Sequence, residues 1–273
     1  MRADPECSLL LVAVVIATLA AAPANAELIF KFEDRFTAAQ REKLTTWITE
    51  VAAGVESLVG PYPIDIQIRF ARTRSSEPVP WAHTLRGRYQ GIRFHVDPRY
   101  SLEDLRLDWT APHELSHLIL PFLGRRNSWF SEGFASFMQY QVMLNMGVLN
   151  RKEVAERYQQ RLTKAALTFN YPERSFVDAA PRLRAEGKIS VMYWGGAVYF
   201  LRLNRKLESN AGMNLIDLVS DYMICCRRNY DSLPGLIADF DAITHSDHSA
   251  AELAAFRATP GFPGYQQIEL GGE

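Results

Sequence analysis

The first hundred residues read as short strands arranged around one long helix, and the remainder as a succession of helices. Residues 28–32 (LIFKF) are a short apolar run suited to a strand. Ile64, Ile66, Ile68 and Phe70 alternate with Asp65, Gln67 and Arg69, which predicts a strand with one buried face. Ile92, Phe94 and Val96 alternate with Arg93 and His95 in the same way, and residues 84–88 read as a further strand. Leu44, Trp47, Ile48, Val51, Val55 and Leu58 instead recur at helical spacing. They predict a helix over 38–58, opened by Thr37 and Gln40 as a capping box. Residues 91–96 are the candidate edge of the sheet, either a plain surface strand or one that takes an extended peptide by strand addition. His95 on that strand reads as an incidental surface histidine.

After Pro98 the period is helical. Ser101 with Asp104 caps a short helix, and Thr110 with Pro112 starts another that runs to Gly124. Further helices are predicted over 132–146, 150–167 (capped by Asn150 and Glu153), 190–207, 215–226 and 233–242. Residues 72–80 and 171–188 read as loops, and the Gly- and Pro-bearing stretch from Thr259 as a tail wrapping the surface. A small antiparallel or mixed sheet followed by a helical lobe is an α+β arrangement. The expected division is a leader over 1–26, an α/β lobe over 27–110 and a helical lobe over 111–273.

Composition adds limits. Ser8 to Ala24 carries no charge, and Ala24-Asn25-Ala26 supplies a small-x-small cleavage site, so residues 1–26 read as a signal peptide and the chain as periplasmic or secreted. No later stretch is long and apolar enough to span a bilayer. The whole chain has 30 basic and 31 acidic residues, a net charge of −1, which offers no strong basic bias toward nucleic acid. Cys7 falls in the leader. Cys225 and Cys226 are neighbours, and a bridge between them strains the peptide they share, so free, partly buried thiols are expected.

The chemistry concentrates in Ala111-Pro112-His113-Glu114-Leu115-Ser116-His117. Residues four apart lie on one face of a helix, so His113 and His117 can point at one ion. Glu114 can then reach a water at that ion without ligating it. Leu115, Leu118, Ile119 and Leu120 make the helix largely buried, and a buried face rarely holds two histidines and a glutamate unless something pairs them. Downstream, Trp129-Phe130-Ser131-Glu132-Gly133-Phe134-Ala135 brings a third ligand, Glu132, after a loop over 121–127. Two histidines and one carboxylate with an open position is the pattern of catalytic zinc.

H-E-x-x-H followed by W-x-x-E-G-F-A resembles the gluzincin metallopeptidases, above all the aminopeptidase N and glycyl aminopeptidase families. Those families also carry Y-x-x-G-A on a later helix, similar to Tyr193-Trp194-Gly195-Gly196-Ala197 here. The resemblance implies a zincin-like fold with a sheet edge along the cleft, and one zinc per chain on His113, His117 and Glu132. It also implies Glu114 as general base, Tyr193 as oxyanion stabiliser, and a peptide or protein substrate. Three departures stand out. The loop between His117 and Glu132 is shorter, at fourteen residues; Gly195 replaces a usual basic residue; and no Gly-x-Met-Glu-Asn element precedes the motif. That element anchors a substrate's free amine in aminopeptidases, so the mechanism carries over better than exopeptidase specificity does. A zincin-fold binding protein without turnover, or a zinc hydrolase of other amides or esters, are the competing readings; retention of Glu114 argues against the first.

Overall fold

The computed structural model describes residues 26–266; residues 1–25, with nearly all of the expected leader, lie outside the described residues. Strands β1 (Leu28–Phe32), β2 (Ile66–Arg72), β3 (Trp81–Leu85) and β4 (Gln90–Val96) form one sheet in the order β1-β2-β4-β3. The first three in that order run parallel and β3 is antiparallel to β4, so the sheet is mixed. Parallel β1 and β2 need a crossover, and helix α1 (Ala38–Val59) supplies it. Its capping box of Thr37 and Gln40 is present, and Leu44, Trp47, Ile48, Val51 and Val55 are its buried stripe. Trp47 meets Phe94 of β4 edge-on at 5.4 Å, which fixes the helix on the inner face of the sheet.

The edge expected at residues 91–96 is corrected. β4 is an interior strand, and Gln90, Gly91, Ile92, Phe94 and Val96 are all buried because β2 and β3 flank it. The free edge beside the helical part is β3, which begins at Trp81, three residues ahead of the predicted 84–88 strand. Trp81 pairs with His95 across β3 and β4, and their rings stack at 4.6 Å on the face away from the core.

The helical part comprises α2 (Leu102–Leu107), α3 (Thr110–Ser116), α4 (Ser128–Asn145), α5 (Arg151–Thr168), α6 (Phe176–Ala185), α7 (Ile189–Asn210), α8 (Leu215–Cys225), α9 (Leu233–Thr244) and α10 (His248–Ala258). The capping boxes of Ser101 with Asp104 and Asn150 with Glu153 form as expected. Three expectations fail. α3 does not run to Gly124. It ends at Ser116 and tightens into turns in which Leu118 and Ile119 donate to the carbonyls three residues back. Pro121 has no N–H to extend the ladder and disfavours helical geometry at the residue before it. The loop predicted over 171–188 contains α6, capped by Ser175, whose hydroxyl accepts from the Asp178 N–H at 3.2 Å. Residues 248–258, given no element by the pattern, form α10. The free thiols expected at Cys225 and Cys226 are also corrected: the two are joined by a disulfide. Cys225 closes α8, while Cys226 at φ −135° leaves helical geometry, so the two side chains are not held a helical step apart.

α4 and α7 form the centre of this part. Phe130 and Phe134 on α4 and Ala197, Tyr199 and Phe200 on α7 are buried between them and their neighbours, with Phe130 and Phe200 at 4.7 Å. The tail from Thr259 does wrap back: Gly261 N–H donates to the Arg174 carbonyl, and Phe262 packs on Phe169 and Phe176. Among the described residues no helix is long and apolar enough to cross a membrane.

Candidate metal centre

α3 is fixed at both ends by side-chain hydrogen bonds. The Asp108 carboxylate accepts the Thr110 N–H at 2.8 Å at its start. At its other end the Tyr62 hydroxyl donates to the Leu115 carbonyl at 3.0 Å, and Arg86 donates to the His117 carbonyl at 3.2 Å. Arg227 donates to the carbonyls of Leu118 at 2.9 Å and Ile119 at 3.4 Å. A helix end leaves its last carbonyls without partners; here those donors fill the gap in a buried stretch. The segment that carries Arg227 is itself docked, since the Phe122 N–H donates to the Asn229 carbonyl at 3.0 Å.

His113 and His117 project from this helix one turn apart, their rings at 4.9 Å and nearly perpendicular. α4 brings Glu132 to them, and its Oε2 lies 3.2 Å from Nε2 of each histidine. One ligand atom from each of the three falls within 4.8 Å of the others, and the two histidines are buried. Two imidazole nitrogens and a carboxylate oxygen meeting at one point are a donor set that fits zinc and leaves a position open for a reacting group. The His113 side is prepared for this. Nδ1 pairs with the Gln139 amide oxygen at 3.0 Å, so that Nδ1–H donates to Gln139 and Nε2 is left as the ligand.

The spacing expectations for His113, His117 and Glu132 therefore meet in space. Two polar groups near in sequence do not reach the histidines: Asp108 is engaged with Thr110, and the buried Ser136 hydroxyl has no hydrogen-bond partner. Gln139 takes that part. It lies seven residues after Glu132, two helical turns on, so the stripe Glu132, Ser136, Gln139 was open to inspection in the sequence. Asp97, another acid near the strand end, is locked away: its carboxylate accepts from Arg99 and from the N–H of Ser75, and the pairing with Arg99 holds it well below the usual carboxylate range against the effect of burial.

Charge around the centre is uneven. Burial works to raise the Glu132 carboxylate, but His117 and then His113 hold it well below its ordinary value. Glu114, beside the first histidine, is pushed up to about 7, first by burial and further by the Glu132 charge, with His113 and Arg86 opposing. A carboxylate poised there can both take and give a proton near neutral pH. Tyr193 on α7 stacks on His113 at 5.4 Å and 23°. Burial raises its hydroxyl above the ordinary tyrosine value, and the Glu132 and Glu114 carboxylates add to this, so it stays protonated as a donor. His113, Glu114 and Tyr193 all line one cleft of about 730 Å³, whose wall includes Trp81 and Ala82 of the edge strand.

Glycines set how close the two supporting helices come. A Cβ on Gly196 would lie 2.1 Å from the Trp129 carbonyl oxygen, and one on Gly195 would lie 2.2 Å from the Phe176 ring. The position where the resembling families usually carry a basic residue is thus filled from outside by α6.

A helical part whose H-E-x-x-H helix is followed by a glutamate helix, packed against a small mixed sheet, is a zincin-like α+β fold. No family model matches the sequence, and no curated protein matches it. Among solved structures, an aminopeptidase N family protein from Idiomarina loihiensis is similar at 13% identity and a TM-score of 0.60, over 88% of this chain and 46% of that one. Leukotriene A4 hydrolase from Saccharomyces cerevisiae is similar at 12% and 0.56, over 83% and 37%. An M1 zinc metallopeptidase from Deinococcus radiodurans is similar at 17% and 0.51, over 86% and 49%. The chain spans less than half the length of these proteins, and the likeness is one of fold.

Proposed function

We propose that this protein is a zinc-dependent metallopeptidase that hydrolyses peptide bonds, exported under the direction of residues 1–26. The observation that carries the reading is the convergence of His113, His117 and Glu132 on one point, with Glu114 and Tyr193 facing the same cleft. The fold neighbours include an M1 zinc metallopeptidase and an aminopeptidase N family protein, which supports the same reading. A zinc ion held by the three ligands would supply the Lewis acidity that activates water and polarises a carbonyl at neutral pH.

The protein's own groups then act in sequence. The Glu114 carboxylate accepts a proton from the attacking water and later delivers it to the departing nitrogen. The Tyr193 hydroxyl donates a hydrogen bond to the oxygen of the tetrahedral adduct, where removal of one donor typically costs about a hundredfold or more in rate. Gln139 holds His113 in the ligating tautomer. Arg86 and Arg227 keep the His117 end of the helix in place. The disulfide between Cys225 and Cys226 suits an oxidising compartment, which supports the export reading.

No Gly-x-Met-Glu-Asn element precedes the H-E-x-x-H motif in the sequence, so blocked and free peptides should both be taken. Incubating zinc-loaded protein with matched peptides bearing free or acetylated amino termini tests this. Cleavage of the acetylated set at least as fast as the free set is expected; release of single residues from free peptides alone would make it an aminopeptidase.

A further inference from the structure

Nine large hydrophobic side chains are exposed among the described residues, and four of them, Trp81, Leu107, Trp109 and Ile189, line the cleft that holds His113, Glu114 and Tyr193. Single exposed apolar residues are ordinary; several gathered from separate elements around one polar centre mark a binding surface. Trp81 opens β3, Leu107 closes α2, Trp109 leads into α3 and Ile189 begins α7. Two of them are held by ring contacts while leaving surface open. Trp109 stands edge-on to His113 at 5.4 Å, and Trp81 lies on His95 at 4.6 Å and on His83 at 4.8 Å.

The charged groups around this apolar surface are one-sided. Glu77, Asp104 and Asp108 line the cleft besides Glu114, and Arg161 is the sole cation among its lining residues. Glu77 and Asp104 stand exposed at the rim, and Asp108 and Glu114 are half-buried. Even with the two charges of a zinc ion offset by Glu132 and Glu114, the lining stays net negative, which raises the cost of binding an acidic side chain there.

We propose that this cleft recognises its substrate through a bulky apolar side chain, aromatic or aliphatic, beside the metal centre, and excludes acidic side chains from the same place. The inference rests on the peptidase reading and names the substrate class of that site. Leu107 and Ile189 are specificity-determining residues: both are exposed, neither is a ligand, and both present aliphatic surface to the incoming chain. Trp109 joins the apolar surface to the ligand His113, so an occupant resting on it lies next to the reacting bond.

The test reads binding without turnover. Zinc-loaded Glu114→Gln protein is titrated by calorimetry with acetyl-Ala-Ala-Phe-Ala-Ala-Ala amide and with the same peptide carrying Asp in place of Phe. A single large residue in an alanine chain finds the apolar surface in whatever register suits it. The Phe peptide should bind about tenfold tighter or more, the scale on which an apolar pocket discriminates. Adding Leu107→Asp and Ile189→Asp together should bring the ratio close to one, and Ile189→Asp alone should lower it severalfold, with thermal unfolding checking that each variant is folded. Equal affinities for the two peptides in the parent, no binding of either, or an undiminished ratio in the folded variants would overturn the inference. A preserved Phe preference together with no cleavage of any peptide by the wild-type protein would sink the peptidase reading and leave the recognition standing.

Discussion

A Cβ placed on Gly133 would lie 2.3 Å from the carbonyl carbon of Gly196, so the backbones of α4 and α7 touch at the level of the metal centre. Glu132 precedes the first of these glycines by one residue and Tyr193 precedes the second by three. The distance between a ligand and a proposed oxyanion donor is thus set by two missing side chains. Gly133→Ala or Gly196→Ala should force the helices apart, costing about 1–3 kcal/mol of stability as overpacking does. Urea unfolding alongside zinc analysis checks this, and both stability and zinc content should fall. A variant with wild-type values of both would mean that the contact does not position the site.

Gln139 should matter to metal affinity although it touches no metal. Gln139→Leu removes the acceptor of the His113 Nδ1–H, and partners of this kind typically contribute about 10- to 100-fold in affinity. Competition with a chelator measures the change directly. An unaltered zinc affinity would show that the ring is held by packing alone.

The arginine clamp on the end of α3 gives a third expectation. Arg227→Met keeps the unbranched apolar stem of the side chain but leaves the carbonyls of Leu118 and Ile119, both in buried residues, without their donor. Burying such groups unpaired costs about 1–3 kcal/mol, to be read as a lower urea midpoint at unchanged slope. Stability equal to wild type would mean that other donors replace the guanidinium.

Much of this was legible in the chain because it is local. The stripe of α1, three capping boxes and the four-residue spacing of His113 and His117 depend on neighbours in sequence, and all are present in the structure. The sheet order is not local. Nothing in the alternation of Ile92, Phe94 and Val96 says that β3 will pair outside it, so the pattern alone points to the wrong strand as the edge. α6 was obscured by Pro181 inside it, although Ser175 with Asp178 is a start signal. α3 ended early for a reason held elsewhere in the chain, in Arg86 and Arg227 as much as in Pro121. Of the residues around the candidate metal centre, His113, His117 and Glu132 are visible by spacing and Tyr193 by resemblance, whereas Gln139 shows only as a residue that shares the helix face of Glu132.

The proposed chemistry turns on Glu114, which borders the ligands and has its carboxylate pushed up to about 7, chiefly by burial. Glu114→Gln keeps size and polarity, removes the proton acceptor and leaves His113, His117 and Glu132 intact. The most direct test measures zinc content and peptide hydrolysis on this single variant beside wild type. One zinc per chain is expected in both proteins, with hydrolysis by the variant lost. Hydrolysis at the wild-type rate by a zinc-replete Glu114→Gln protein would contradict the role of Glu114 as the base.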